Sequence, residues 1–211
     1  MGIDVTPRMQ LAEHVITHLH SAIPSSEALL RGSLAERRAD AYSDIDLLWE
    51  VPDDQFATVI ADLPVMLGHI RPIASLRFDP DFQRSAKRRL AFIRFAGVPL
   101  FWRVDLDILA ASVGREPDYD RDNPAARGTD WSLTESALMN AIAAVRAQRR
   151  GHDTEAVRLL ERAEDRVGVS RAPSDIRRRI TQLIAAIAQQ DPTQRPLAVD
   201  IARLVEETLS E

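Results

Sequence analysis

The chain has 211 residues, 45% of them apolar and 28% charged, with a net charge of −5 and no cysteine. These values suit one folded domain or two small ones; they argue against a general nucleic-acid binder, which needs a basic surface, and exclude disulfides, thiolate metal sites and cysteine nucleophiles. No apolar run approaches the ~20 residues that span a bilayer, and the opening "MGIDVTPRMQ" is too acidic and polar for a signal peptide, so no membrane partner and a cytoplasmic location are expected.

Two rhythms follow along the chain. Residues 9–22 place Ala12, Val15, Ile16 and Leu19 at helical spacing, with Ile23 beyond. "SEALLRG" reads as a short strand ending at Gly32, and "DIDLLWEV" (44–51) as a second strand that Pro52 and Asp53 stop before a helix over roughly 54–67. "IRPIASLRF" is a candidate third strand. "RRLAFIRFAGVPLFWRVDLDIL" reads as a hairpin, its two β-rich runs joined through Ala96-Gly97-Val98-Pro99. Residues 112–130 are polar, acidic and rich in Gly and Pro, a linker or functional loop.

Beyond that loop the pattern is helical. Ser132 with Glu135 forms a capping box ahead of the stripe Leu133, Ala137, Leu138, Ala141, Ile142 and Val145. Gly151 and Gly168 stand where helices end. Ile176, Ile180, Leu183, Ile184 and Ile187 mark a third helix, and Pro196 opens a fourth carrying Ile201, Leu204 and Val205. The expected class is α+β: a small mixed β-sheet domain over 1–111, a linker or active-site loop over 112–130, and a helical bundle over 131–211.

The chemistry concentrates in the strands. Residues two apart on a strand share a face, with Cα atoms ~6.6 Å apart, so Asp44 and Asp46 aim together while Ile45 and Leu47 point the other way. Two such carboxylates repel unless a cation neutralises them, and magnesium favours hard oxygen donors together with phosphates. In "FWRVDLDIL", Phe101, Arg103, Asp105 and Asp107 share one face and Trp102, Val104, Leu106 and Ile108 the other. If this run lies beside 44–51 with the polar faces aligned, a third carboxylate joins the first two, and three acids can hold two ions ~3.5–4 Å apart. Gly32 permits close backbone approach to a phosphate, Ser33 offers a hydroxyl, the following residues can open a helix, and Arg37 or Arg38 can add charge. The Gly-Lys-Ser/Thr ending of a Walker loop is absent.

Gly32-Ser33, a gap of ten residues, then Asp44-Ile45-Asp46-Leu47 resembles the signature of the DNA polymerase β-like nucleotidyltransferase superfamily. With a helical extension, the chain is similar to its minimal members and to the antibiotic nucleotidyltransferases that act on aminoglycosides or lincosamides. The resemblance implies that Gly32 and Ser33 bind the phosphates of a nucleoside triphosphate, and that Asp44 and Asp46 hold Mg2+, two ions being expected. A third acid from a later strand completes the catalytic set; Asp105 and Asp107 both fit, and Asp105 is favoured as the third metal ligand because it lies deeper in the predicted strand. Arg37 and Arg103 are placed near the triphosphate, although Arg103 can equally pair with the aspartates. The activity so implied is transfer of a nucleoside monophosphate, AMP expected, from ATP or another NTP to a hydroxyl of a small molecule, consistent with antibiotic resistance. The alternatives are an antitoxin-type nucleotidyltransferase that modifies a protein partner and a non-catalytic nucleotide-binding module. Polymerisation on RNA is disfavoured by the acidic balance, and a homodimer is left open.

Other polar features have plainer readings. His14 and His18 have zinc-binding spacing without a third ligand, and suit a solvated helix flank. The basic cluster "RSAKRRL" (84–90) suits a solvated turn, and Arg146, Arg149 and Arg150 complement a helix C-terminus. Trp102 and Trp131 read as packing residues. Glu116, Asp118, Asp120 and Asp122 form either a patch that would draw a polycation or a soluble linker.

Overall fold

The computed structural model describes residues 6–114, 116, 118–170 and 175–209; the opening five residues, read above as lacking a leader, lie outside them. The architecture is α+β, and the chain divides into two compact units, 1–131 and 132–211.

In the first unit, α1 (Thr6–Ala22) leads into β1 (Glu27–Arg31). A single helical turn, α2 (Gly32–Ala35), follows at once, then β2 (Ile45–Val51), α3 (Phe56–Gly68), β3 (Ile73–Phe78), β4 (Arg88–Phe95) and β5 (Val104–Ala110). The five strands form one sheet in the order β1-β2-β5-β4-β3. β2 and β5 run parallel at its centre; the other three pairings are antiparallel. The mixed sheet and the β4–β5 hairpin are those expected from the alternating pattern.

Alternation divides the sheet cleanly. Ile45, Leu47, Trp49 and Val51 of β2 join Val104, Leu106, Ile108 and Ala110 of β5 and Ala91, Ile93 and Phe95 of β4 in one buried core. α1 covers it with Leu11, Ala12, Val15 and Leu19, and α3 with Phe56, Val59, Leu63 and Leu67. Each fully buried Val, Leu, Ile or Phe among them contributes roughly 1.5–3 kcal/mol. Trp49 is fully buried, and its indole N–H is satisfied by the Ser26 hydroxyl at 2.8 Å.

The hairpin departs from expectation at its second run. Trp102 N donates to the Pro99 carbonyl (2.9 Å), closing a turn over 99–102, so β5 begins at Val104. Phe101 therefore does not line the polar strand face: it is buried, edge-on to Tyr42 at 5.3 Å between ring centroids.

The basic cluster also differs from its sequence reading. Arg88 is only 6% exposed, Ser85 is buried, and Arg89 donates to the Phe82 carbonyl at 2.9 Å. The 84–90 segment is thus not a solvated turn; β4 starts within it.

Residues 118–131 belong to the first unit, with Gly128 N bonded to the Pro80 carbonyl (2.8 Å) and Gln83 bonded to the Asp130 carbonyl. Asp118 pairs with Arg121 at 2.9 Å, Asp120 accepts from Ser85 and from Asn123 (2.7 Å), and Arg127 reaches Asp81 (3.3 Å) and Asp122 (3.8 Å).

In the second unit the described residues form α4 (Leu133–Arg149), α5 (Asp153–Val167), α6 (Ile176–Gln190) and α7 (Arg195–Leu209). Glu135 N donates to Ser132 Oγ at 3.1 Å, the cap anticipated from sequence. Gly168 ends α5 in the left-handed region. Arg179 forks onto Glu164 at 2.9 and 2.6 Å, both side chains buried. No described helix is long and apolar enough to cross a membrane.

Candidate active site

The polar face of the sheet carries the predicted carboxylates. Asp46 is the register partner of Asp105 across the parallel β2–β5 ladder, so their Cα atoms lie ~4.8 Å apart and both side chains leave the same face. Asp44 precedes β2, and the bond from Ile45 N to the Arg103 carbonyl (2.9 Å) sets it beside Arg103. One row across the sheet reads Arg31, Asp46, Asp105, Phe92, Arg77.

Gly32 fits this arrangement for two reasons. Its φ of +61° lies in the left-handed region that a glycine tolerates without strain. A Cβ at this position would overlap the Asp46 carboxylate. The turn after β1 and the acid on β2 are therefore packed together. Ser33 follows in α2, whose four residues make one turn; so short a helix brings little of the aligned dipole of a longer one, and backbone and hydroxyl donors are what this turn offers an anion. Arg37 is exposed, with φ 57°, and Arg38 pairs with Glu36, so neither is held against the acids.

The segment leading to Asp44 is fixed from beneath. Arg8 of α1, only 2% exposed, donates to the carbonyls of Asp40 (2.8 Å) and Ala41 (3.0 Å). The Asp40 carboxylate in turn accepts from Tyr42 N (3.0 Å) and the Ser43 hydroxyl (2.9 Å). Arg8 also lies over the Trp102 ring at 5.5 Å, which makes Trp102 part of this support.

Asp105 and Asp107 have different surroundings. Arg103 forks onto Asp105, Nε to Oδ1 and Nη2 to Oδ2, both at 2.5 Å. Burial pushes the Arg103 guanidinium down, but Asp105 first, then Asp44 and Asp46, outweigh burial and hold it above its ordinary value. Its cation also sits 4.8 Å from the Phe92 ring centroid. Asp107 is gripped by Arg88, Nε to Oδ1 and Nη2 to Oδ2, both at 3.0 Å, with Arg31 at 3.9 Å. Arg88 further donates to the Tyr119 carbonyl at 3.1 Å. The Asp107 pair thus ties β5, β4 and the 118–123 loop into one framework. Depth in the strand is no reason to prefer Asp105, which is the second residue of β5 whereas Asp107 is the fourth; register with Asp46 is.

As donors, Asp44, Asp46 and Asp105 suit a hard divalent cation: all are carboxylates, all act on one half-buried guanidinium, and Asp46 adjoins a turn without a Cβ. Among the described residues, no group of three acidic or histidine side chains stands at metal-holding distances; at Asp105 the positive charge comes from Arg103. His18 meets His69 edge-on at 6.1 Å, and Trp131 stacks under Arg77 at 4.6 Å and edge-on to Phe92 at 6.1 Å. Sequence reasoning missed Arg8 and Arg88. Arg88 has a signal in retrospect, since it alternates in phase with Leu90 and Phe92 onto the polar face.

No family model matches the chain, and no curated protein does. Among solved structures it is similar to the Cid1 poly(U) polymerase, with a TM-score of 0.38 and 14% identity over 71% of this chain. The chain spans 38% of that protein's length.

Proposed function

We propose that the chain is a nucleotidyltransferase, transferring a nucleoside monophosphate from an NTP, ATP in the first instance, to a hydroxyl of a small acceptor such as an aminoglycoside-like antibiotic. The observation that supports this most is the register pairing of Asp46 with Asp105 beside the Gly32 turn. It unites the glycine-serine pair and both acidic strands, three features far apart in sequence, on one face.

In this reading Gly32 lets backbone approach the triphosphate and the Ser33 hydroxyl donates to it. Asp44, Asp46 and Asp105 hold the divalent cation, which supplies neutralisation of charge on the transferring phosphoryl group. Asp105, in register with Asp46, is the acceptor for the proton of the attacking hydroxyl. Asp107 is assigned to the framework, because both its oxygens bond Arg88. The loop acids Asp118, Asp120 and Asp122 each have a local partner, which weakens the case for a free acidic patch that attracts polycations.

The test is incubation with magnesium, each labelled triphosphate and a panel of hydroxylated acceptors, followed by mass spectrometry. An acceptor heavier by one nucleoside monophosphate, with pyrophosphate released, supports the reading. Magnesium–nucleotide binding without product on any acceptor or protein points to a non-catalytic module instead.

A further inference from the structure

We propose that Arg103 is a built-in counter-cation that competes with a divalent cation for Asp105, because its fork already occupies both oxygens of that carboxylate. The proposal deepens the reading above and rests on it.

The geometry carries the argument. Both oxygens of Asp105 accept from one guanidinium fork at 2.5 Å, and the two side chains are only 21% and 17% exposed. Arginine does not lose its proton in proteins, so this charge cannot be removed; it can only be moved. A hard cation would sit ~2.1 Å from a carboxylate oxygen, and a guanidinium N–H on that same oxygen would leave two positive groups within a few ångströms in a partly dry site. The arginine is held from its other side by the Phe92 ring at 4.8 Å, in register with Asp105. Without a cation, then, the acids do not simply repel; they are held together by a neighbour two residues away.

Simple charge counting gives a rival account: any loss of positive charge would tighten cation binding. Arg103→Lys separates the two, since it keeps the charge and loses the fork. Mg2+ affinity would be measured by calorimetry for the parent protein, Arg103→Gln, Arg103→Lys and, to locate the ion, Asp46→Asn. Thermal melts confirm that each variant is folded, and the 15N signal of the Arg103 side-chain Nε–H is followed during the titration.

The expected result is affinity about tenfold to a hundredfold higher in Arg103→Gln, a smaller but distinct gain in Arg103→Lys, loss of binding in Asp46→Asn, and a shifted Nε–H signal at saturation. Binding seen in Arg103→Gln and Arg103→Lys but not in the parent also supports the proposal. Equal affinity in Arg103→Lys and the parent, or an unmoved Nε–H signal at saturating Mg2+, overturns it while leaving the transferase reading intact. Absence of Mg2+ binding in all of the proteins overturns both.

Discussion

The two faces of the central sheet are built from the same strands by the same alternation, and they do opposite things. On one, Leu47, Trp49, Leu106 and Ile108 are sealed beneath α1 and α3. On the other, one residue out of phase, Asp46, Asp105 and Asp107 stand among Arg31, Arg88 and Arg103. The comparison teaches that a strand fixed by its apolar face positions its polar face at no further conformational cost: register set by the core is register given to the site. Within the polar face the division repeats. Arg88 turns Asp107 into framework, whereas Asp105 lies against Asp46.

The largest effect should come from breaking the apolar face. Trp49→Ala would empty a fully buried site and remove the donor that the Ser26 hydroxyl accepts from, costing about 3–5 kcal/mol in denaturant unfolding; a loss below ~1 kcal/mol would mean the core does not anchor β2 as described. Asp107→Asn should come next. It removes the charge of the carboxylate that Arg88, 7% exposed at its side chain, bonds with two N–H groups, and a broken buried pair costs about 3 kcal/mol.

Gly32→Ala joins the two faces in one test. The left-handed backbone makes alanine unfavourable by roughly 1–2 kcal/mol, and the new methyl group displaces the Asp46 carboxylate. Transfer should fall about a hundredfold, as expected for a misplaced group, well beyond the loss of folded protein; parallel losses of stability and turnover would separate Gly32 from the site.

The smallest effect concerns pH. Burial pushes the Asp79 carboxyl up, outweighing the Asp81 N–H that it accepts. The folded state therefore binds that proton more tightly than the unfolded one, and stability is lost as pH rises from the ordinary carboxyl value, ~3.9, through the raised one. Asp79→Asn keeps the cap and should melt at or slightly above the parent's temperature near neutral pH, with the difference vanishing in acid. Asp120 runs the other way. Ser85, then Asn123, hold it below the ordinary value, so its contribution is present above ~3.9 and fades as pH falls toward the folded value.

Much of this was legible because period-two alternation is a local property. "DIDLLWEV" and "RVDLDIL" each declare an apolar and an acidic face, and Gly32 ends the strand before them; that Gly32 packs against the Asp46 carboxylate is seen only in the fold. What was hidden depends on pairing between segments. The partner of Asp107 follows from the β4–β5 register, which the Pro99–Trp102 turn sets by delaying the start of β5. With the strand taken from Phe101, Asp105 looked central and Arg88 looked like part of a solvated cluster; with the strand starting at Val104, Arg88 comes in to Asp107. Arg8 was hidden for a similar reason, since its partners are backbone carbonyls 32 and 33 residues away.

The most direct test of the central claim is magnesium-dependent pyrophosphate release from a triphosphate by the parent, Asp105→Asn and Asp107→Asn, each normalised to its folded fraction. The account predicts a loss of about a hundredfold or more for Asp105→Asn, with a smaller fall in melting temperature than Asp107→Asn shows, and near-parent turnover per folded molecule for Asp107→Asn. Parent-level turnover in Asp105→Asn, or equal losses in both variants, would contradict it.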